Sequence, residues 1–163
     1  MRVVEGVADI DDVDDFLSRL GQVADDHGVT IQAFDARYVV GRGHLERAVE
    51  LADRAIARGE NVARDRGVEI MLYAAGRRQI DDALTMGVGE GRTPLAVVVS
   101  GEGDEDAAAA TVEGWLDPVS TLDDTDAERV RAFFDVTDAE LGVADGDLAD
   151  LVAERVALLD VEK

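Results

Sequence analysis

The chain has no cysteine among its 163 residues, which excludes disulfides, thiolate zinc sites and cysteine nucleophiles together. Lysine is nearly as scarce: of 16 basic residues only Lys163 is a lysine, the rest being arginine. Histidine occurs twice, as His27 and His44, and neither stands in motif spacing with a Ser or Asp partner for nucleophilic catalysis. No His-rich cluster offers a metal site, so no cofactor is expected. No apolar run approaches the length that crosses a bilayer, and Met1-Arg2-Val3-Val4-Glu5 does not read as a signal peptide. A cytoplasmic protein without membrane contact is the expectation.

What is present in excess is acid. The formal net charge is −21, yet 47% of residues are apolar, so the chain reads as globular and not as an acidic disordered tail. Its length fits one domain, residues 1-163. A surface so charged repels itself in dilute buffer, and at molar salt a Debye length of about 3 Å removes that repulsion. The composition therefore points to a salt-rich cytoplasm, as in halophilic archaea. The acid is unevenly spread. Between Arg37 and Arg92 ten arginines face nine acids, whereas the remainder carries six basic residues and 28 acids. Non-specific nucleic-acid binding is disfavoured by the whole, but a local contact is left open by the neutral island.

Within that island runs Val68-Glu69-Ile70-Met71-Leu72-Tyr73-Ala74-Ala75, apolar on almost every side and broken only by Glu69 and the Tyr73 hydroxyl. Such a helix belongs inside a domain. Gly76 permits it to end, and Arg77, Arg78 and Gln79 follow, with Ile80, Ala83, Leu84 and Gly87 at helical spacing. Guanidinium and carboxamide groups held at such a joint suit a phosphate or a base edge. The alternative is that Arg77 and Arg78 pair with Asp81 and Asp82 and merely solvate a helix start.

Along the chain, Arg2 to Ala8 reads as a strand and Asp9 to His27 as a helix opened by carboxylates. The acid run lacks the glycine and terminal glutamate of a calcium loop. Val29 to Phe34 reads as a second strand. Gly41-Arg42-Gly43-His44 then leads into an amphipathic helix through Leu45, Ala48, Val49, Ala52, Ala55 and Ile56. Amides at that mouth can hold an anion, with Arg42 and His44 adding charge and a stacking surface, although a plain chain reversal explains the glycines equally well. Gly59 to Gly67 is a polar connection. Gly87-Val88-Gly89-Glu90-Gly91 follows a helix and precedes a strand, the reverse of a dinucleotide loop. Pro94 to Ser100 is apolar on both faces and predicts a central strand. Helices are predicted over Asp104 to Leu116, Asp124 to Phe134 and Asp138 to Leu141, with Trp115 covering the core and a short edge strand over Val119 to Leu122. A last helix, from about Asp145 to Val161, carries two apolar stripes. One comprises Leu148, Val152, Val156 and Leu159, the other Leu151, Leu158 and Val161. Its wide arc predicts burial against both its own core and a partner. The fold class is α/β (α+β), helix-rich, with a small mixed or antiparallel sheet of three to four strands covered by several helices.

Gly76-Arg77-Arg78-Gln79-Ile80 after a buried helix resembles the Gly-x-Arg-Gln-Ile signature of the PRPK-binding protein family. Phe34-Asp35-Ala36 leading to His44-Leu45 and Ala48-Val49 resembles that family's strand and following helix, and Glu154 to Asp160 its C-terminal helix. Residues 101 to 147 match weakly. The resemblance implies a small accessory subunit of the KEOPS (EKC) complex, which makes threonylcarbamoyl-adenosine in tRNA. Its implied partners are a small atypical protein kinase, indirectly the threonylcarbamoyl transferase subunit, and the single-stranded CCA end of tRNA. On this reading Gly76, Arg77, Arg78, Gln79 and Ile80, with Arg42 and His44, face tRNA. Leu151, Val152, Arg155, Leu158 and Leu159 face the kinase, and the chain is not an enzyme. Two rivals are a stand-alone small-molecule or nucleotide-binding module using the Gly41-Arg42-Gly43-His44 mouth, and a hydrolase whose carboxylates are lost among the solvating ones.

Overall fold

The computed structural model describes residues 1–143 and 147–162. Four antiparallel strands, β1 (Arg2–Ile10), β2 (Thr30–Asp35), β3 (Gly91–Ser100) and β4 (Asp117–Pro118), form one sheet in the order β2-β3-β1-β4. Around it lie α1 (Val13–His27), α2 (Arg42–Ala57), α3 (Arg66–Ala75), α4 (Ile80–Ala83), α5 (Glu105–Glu113), α6 (Ala127–Phe133), α7 (Asp138–Val143) and α8 (Leu148–Glu162). This is the helix-rich α/β architecture expected, with the sheet wholly antiparallel.

Strand register explains why β3 is apolar on both faces. Val97 lies between Val4 of β1 and Ala33 of β2, and with Leu95 and Val99 it packs under Phe16, Leu20 and Val23 of α1 and Ala108, Ala109 and Val112 of α5. Ala96 and Val98 point the other way, with Phe34, into the larger core built by α2, α3, α6 and α8. From Leu95 to Ser100 each side chain of β3 meets a covered face, so alternation disappears. Pro94 sits just past the end of β2, where β3 has only β1 as neighbour and a missing N–H is tolerated.

Two boundaries depart from expectation. Asp9 and Ile10 belong to β1, because the ladder continues to Ile10 opposite Gly91 and buries Ile10; α1 starts later, capped by Asp12 accepting from Asp15 N–H at 3.1 Å. The predicted edge strand over Val119 to Leu122 is instead the two-residue β4, followed by a 3₁₀ turn at Leu122–Asp124. Glu5 Oε1 accepts from Thr121 and Leu122 N–H, both at 2.9 Å, and the Thr121 hydroxyl donates to Leu95 O at 2.8 Å. Those bonds fold the segment over the sheet edge and leave Val119 exposed. The predicted start of the last helix at Asp145 lies outside the described residues; α8 begins at Leu148.

α3 is the buried rod. From Glu69 to Ala75 every residue is buried, and helices on either side approach it antiparallel, α2 meeting it near Ala74 and α8 near Tyr73. Burial of Ile70 or Leu72 contributes about 2 kcal/mol each. Both polar breaks in its pattern have structural reasons. The Glu69 carboxylate, fully buried, accepts from Val62 N–H and Ala63 N–H at 3.0 Å and so fixes the polar connection after α2. The Tyr73 hydroxyl donates to Asp160 Oδ1 at 2.8 Å, and Asp160 Oδ2 accepts from Arg54 at 2.6 Å, tying α3, α8 and α2 together. Burial drives the Tyr73 phenol pKa upward, while the phenol's hydrogen bond holds the Asp160 carboxyl below the usual carboxylate range.

Candidate functional site

The end of α3 is built by Gly76. Its φ of 61° is left-handed, and its position accepts the Schellman closure in which Arg77 N–H bonds Leu72 O at 3.1 Å and Gly76 N–H bonds Tyr73 O at 3.1 Å. A Cβ here would also come within 3.3 Å of Arg155 O on α8. Glycine is thus favoured by the left-handed backbone, and the approach of the last helix leaves little room for a Cβ.

Beyond the joint the side chains diverge. Arg77 turns inward: its guanidinium donates to Phe133 O and lies 4.7 Å from the Phe133 ring centroid. Its partners are thus on α6 and not Asp81 or Asp82. Arg78, Gln79 and Ile80 are exposed. In the following turn Ala83 and Met86 are buried whereas Ile80 and Leu84 stand 46% and 56% exposed, so the helical stripe seen in sequence divides between core and surface. The joint borders a cleft of about 210 Å³ lined by Ala75, Gly76, Arg77, Phe133, Phe134, Asp135 and Arg155.

At the second proposed mouth His44 is buried, only 8% exposed; its Nδ1 accepts from Val40 N–H at 3.2 Å and its Nε2–H donates to Ala74 O at 2.7 Å. Both ring nitrogens are used, and burial pushes the imidazole down to about 4. It is a neutral core bridge between α2 and α3, supplying neither charge nor stacking surface to a ligand. Arg42 remains exposed but pairs with Glu46 at 2.8 Å and donates to Met1 O. The cavity between this turn and α8 holds about 180 Å³, lined by Val40, Gly43, His44, Arg47, Ala149, Asp150, Ala153 and Val156. That is smaller than the roughly 300 Å³ at which small-molecule pockets begin.

The residues assigned to the kinase also separate. Leu151, Val152 and Leu159 are buried in the chain's own core, so α8 would have to detach before they met a partner. Arg155 points inward, donating to Phe134 O at 3.1 Å, Asp135 O at 3.1 Å and both Glu140 oxygens at 2.9 and 2.8 Å. Its guanidinium holds the Glu140 carboxyl below the usual range. Leu158, 46% exposed, and Val161, 81% exposed, form the outer stripe. Leu151 lies with the inner stripe, against the chain's own core.

What the sequence did not announce is residues 133–140 as the seat of both arginines. Their partners are mostly backbone carbonyls, which leave no mark in side-chain spacing; the one sign is Asp135, a non-glycine at φ 54° closing α6. Asp35, prominent in the motif around Phe34, serves the fold by capping the turn at Arg37 and pairing with that guanidinium at 2.7 Å.

Among the described residues no group of three or more His, Asp or Glu is placed to hold a metal, and no helix is long and apolar enough to cross a membrane. No curated protein matches the chain. The model of the kinase binding protein CGI-121 family matches residues 7–160, nearly the whole length, and the chain belongs to that family.

Proposed function

We propose that the chain is a non-catalytic subunit of the KEOPS complex, binding and regulating the small atypical kinase and helping to recruit tRNA through its CCA end. Membership in a kinase binding family supports the kinase partner. The observation that carries the tRNA reading is the exposure of Arg78, Gln79 and Ile80 immediately beyond a joint whose backbone is fixed from two sides. With the backbone already fixed there, only the side chains remain to be ordered on binding.

A chain of net charge −21 in molar salt gains little from counterion release, so affinity must come from directed hydrogen bonds and stacking on unpaired bases. A single-stranded end offers those groups; a duplex does not. A few contacts suffice when other subunits hold the same tRNA. The kinase face is the Leu158–Val161 stripe, and the setting is a salt-rich cytoplasm. The test is replacement of Arg78 and Gln79 by alanine in the assembled complex at high salt, with tRNA affinity as readout and circular dichroism as control.

A further inference from the structure

The turn that ends α6 is gripped from two elements far apart in sequence. From the joint, Arg77 donates to Phe133 O and lies over the Phe133 ring. From α8, Arg155 donates to Phe134 O and Asp135 O and is itself anchored by Glu140 on α7. The Phe133 and Phe134 carbonyls close α6, where partial negative charge gathers and a guanidinium is favoured; Asp135 follows just outside the helix. The Arg155 carbonyl faces Gly76 so closely that a methyl group would be crowded there. The same residue of α8 therefore touches the joint through its backbone and the support beneath the joint through its side chain.

We infer that Arg155 is a positioning residue for the nucleic-acid grip: by locking the 133–135 turn on which Arg77 rests, it sets the direction in which Gly76 presents Arg78 and Gln79. This rests on the tRNA reading proposed above. Removing Arg155 leaves Phe134 O and Asp135 O without that donor and Glu140 without its cation. The turn then relaxes, Arg77 loses its fixed seat, and the exposed donors beyond Gly76 sample orientations in which they miss the RNA. Arg155 lies one helical turn from Leu158 on α8, yet its side chain is directed into the chain, so the kinase contact is preserved.

The experiment measures binding of the assembled complex, at molar salt, to a tRNA transcript ending in CCA and to the same transcript lacking those three nucleotides. The variants are Arg155→Gln, Arg77→Ala, their combination, and Glu140→Gln, which loosens the Arg155 anchor at a half-buried position outside the core. Arg78→Ala with Gln79→Ala serves as the reference for the grip itself. For Arg155→Gln the affinity for the CCA-ended tRNA falls about tenfold, as expected for charge-assisted bonds lost, and approaches that of the trimmed transcript, whose binding is unchanged. Kinase co-elution is retained. Glu140→Gln moves affinity in the same direction by less, and Arg77→Ala with Arg155→Gln is no worse than the poorer single variant, since both act through one turn. Full additivity, or a loss of tRNA binding that comes with release of the kinase, overturns the inference. So does unchanged affinity for Arg155→Gln and Glu140→Gln while Arg78→Ala with Gln79→Ala still weakens binding. If that reference variant itself binds normally, the tRNA reading fails and the inference with it.

Discussion

Tyr73 on α3 and Asp160 on α8 are 87 residues apart and joined by a hydrogen bond of 2.8 Å. Asp160 is also the ion-pair partner of Arg54 on α2, so one carboxylate closes a three-helix contact behind the joint at Gly76. Tyr73→Phe keeps the ring packing and deletes only the hydroxyl. We expect a loss of about 1.5–3 kcal/mol, the worth of a hydrogen bond to a charged acceptor, with no change in secondary structure. Chemical denaturation at molar salt measures it.

Falling pH destabilises the fold through His44. The folded chain keeps this imidazole neutral until about pH 4, whereas the unfolded chain takes a proton near the ordinary value of 6.5. Between those values the unfolded state binds the extra proton, so the contribution is complete above about 6.5 and is lost as pH drops toward 4, a change on the order of 3 kcal/mol. Proton NMR titration should find one imidazole neutral through pH 5. His44→Gln should flatten the stability profile across that window.

The kinase face is tested by charge. Leu158 is exposed on α8, so Leu158→Glu leaves the core intact and costs less than 0.5 kcal/mol of stability, as for ordinary surface changes. It should nevertheless release the kinase subunit in gel filtration at high salt. Leu151→Glu, by contrast, places a carboxylate in the core and should unfold the domain, which separates the two stripes experimentally.

Much of this arrangement was legible in the residues. The apolar run of α3, the glycine that ends it and the two-faced β3 are local signals, and each appears where periodicity placed it. Ile10 and the Val119–Leu122 segment misled because ladder length and edge geometry are settled by partners distant in sequence, Gly91 for one and Glu5 for the other. His44 looked like a ligand group because it follows glycines at a helix start; only the approach of Ala74 from another helix shows it to be satisfied. Arg77 and Arg155 bind carbonyls, which are identical at every position of a chain, and so their common target was invisible. Exposure likewise depends on packing: Arg77 and Arg78 are adjacent, yet one turns in and the other out.

The central claim is that the exposed groups past Gly76 hold the unpaired end of tRNA. The most direct measurement is the dissociation constant of the assembled complex for a CCA-ended tRNA at molar salt, for the parent and for Arg78→Ala with Gln79→Ala. A weakening of at least about tenfold is expected, with native circular dichroism and an intact kinase contact. Equal dissociation constants for the two proteins would contradict it.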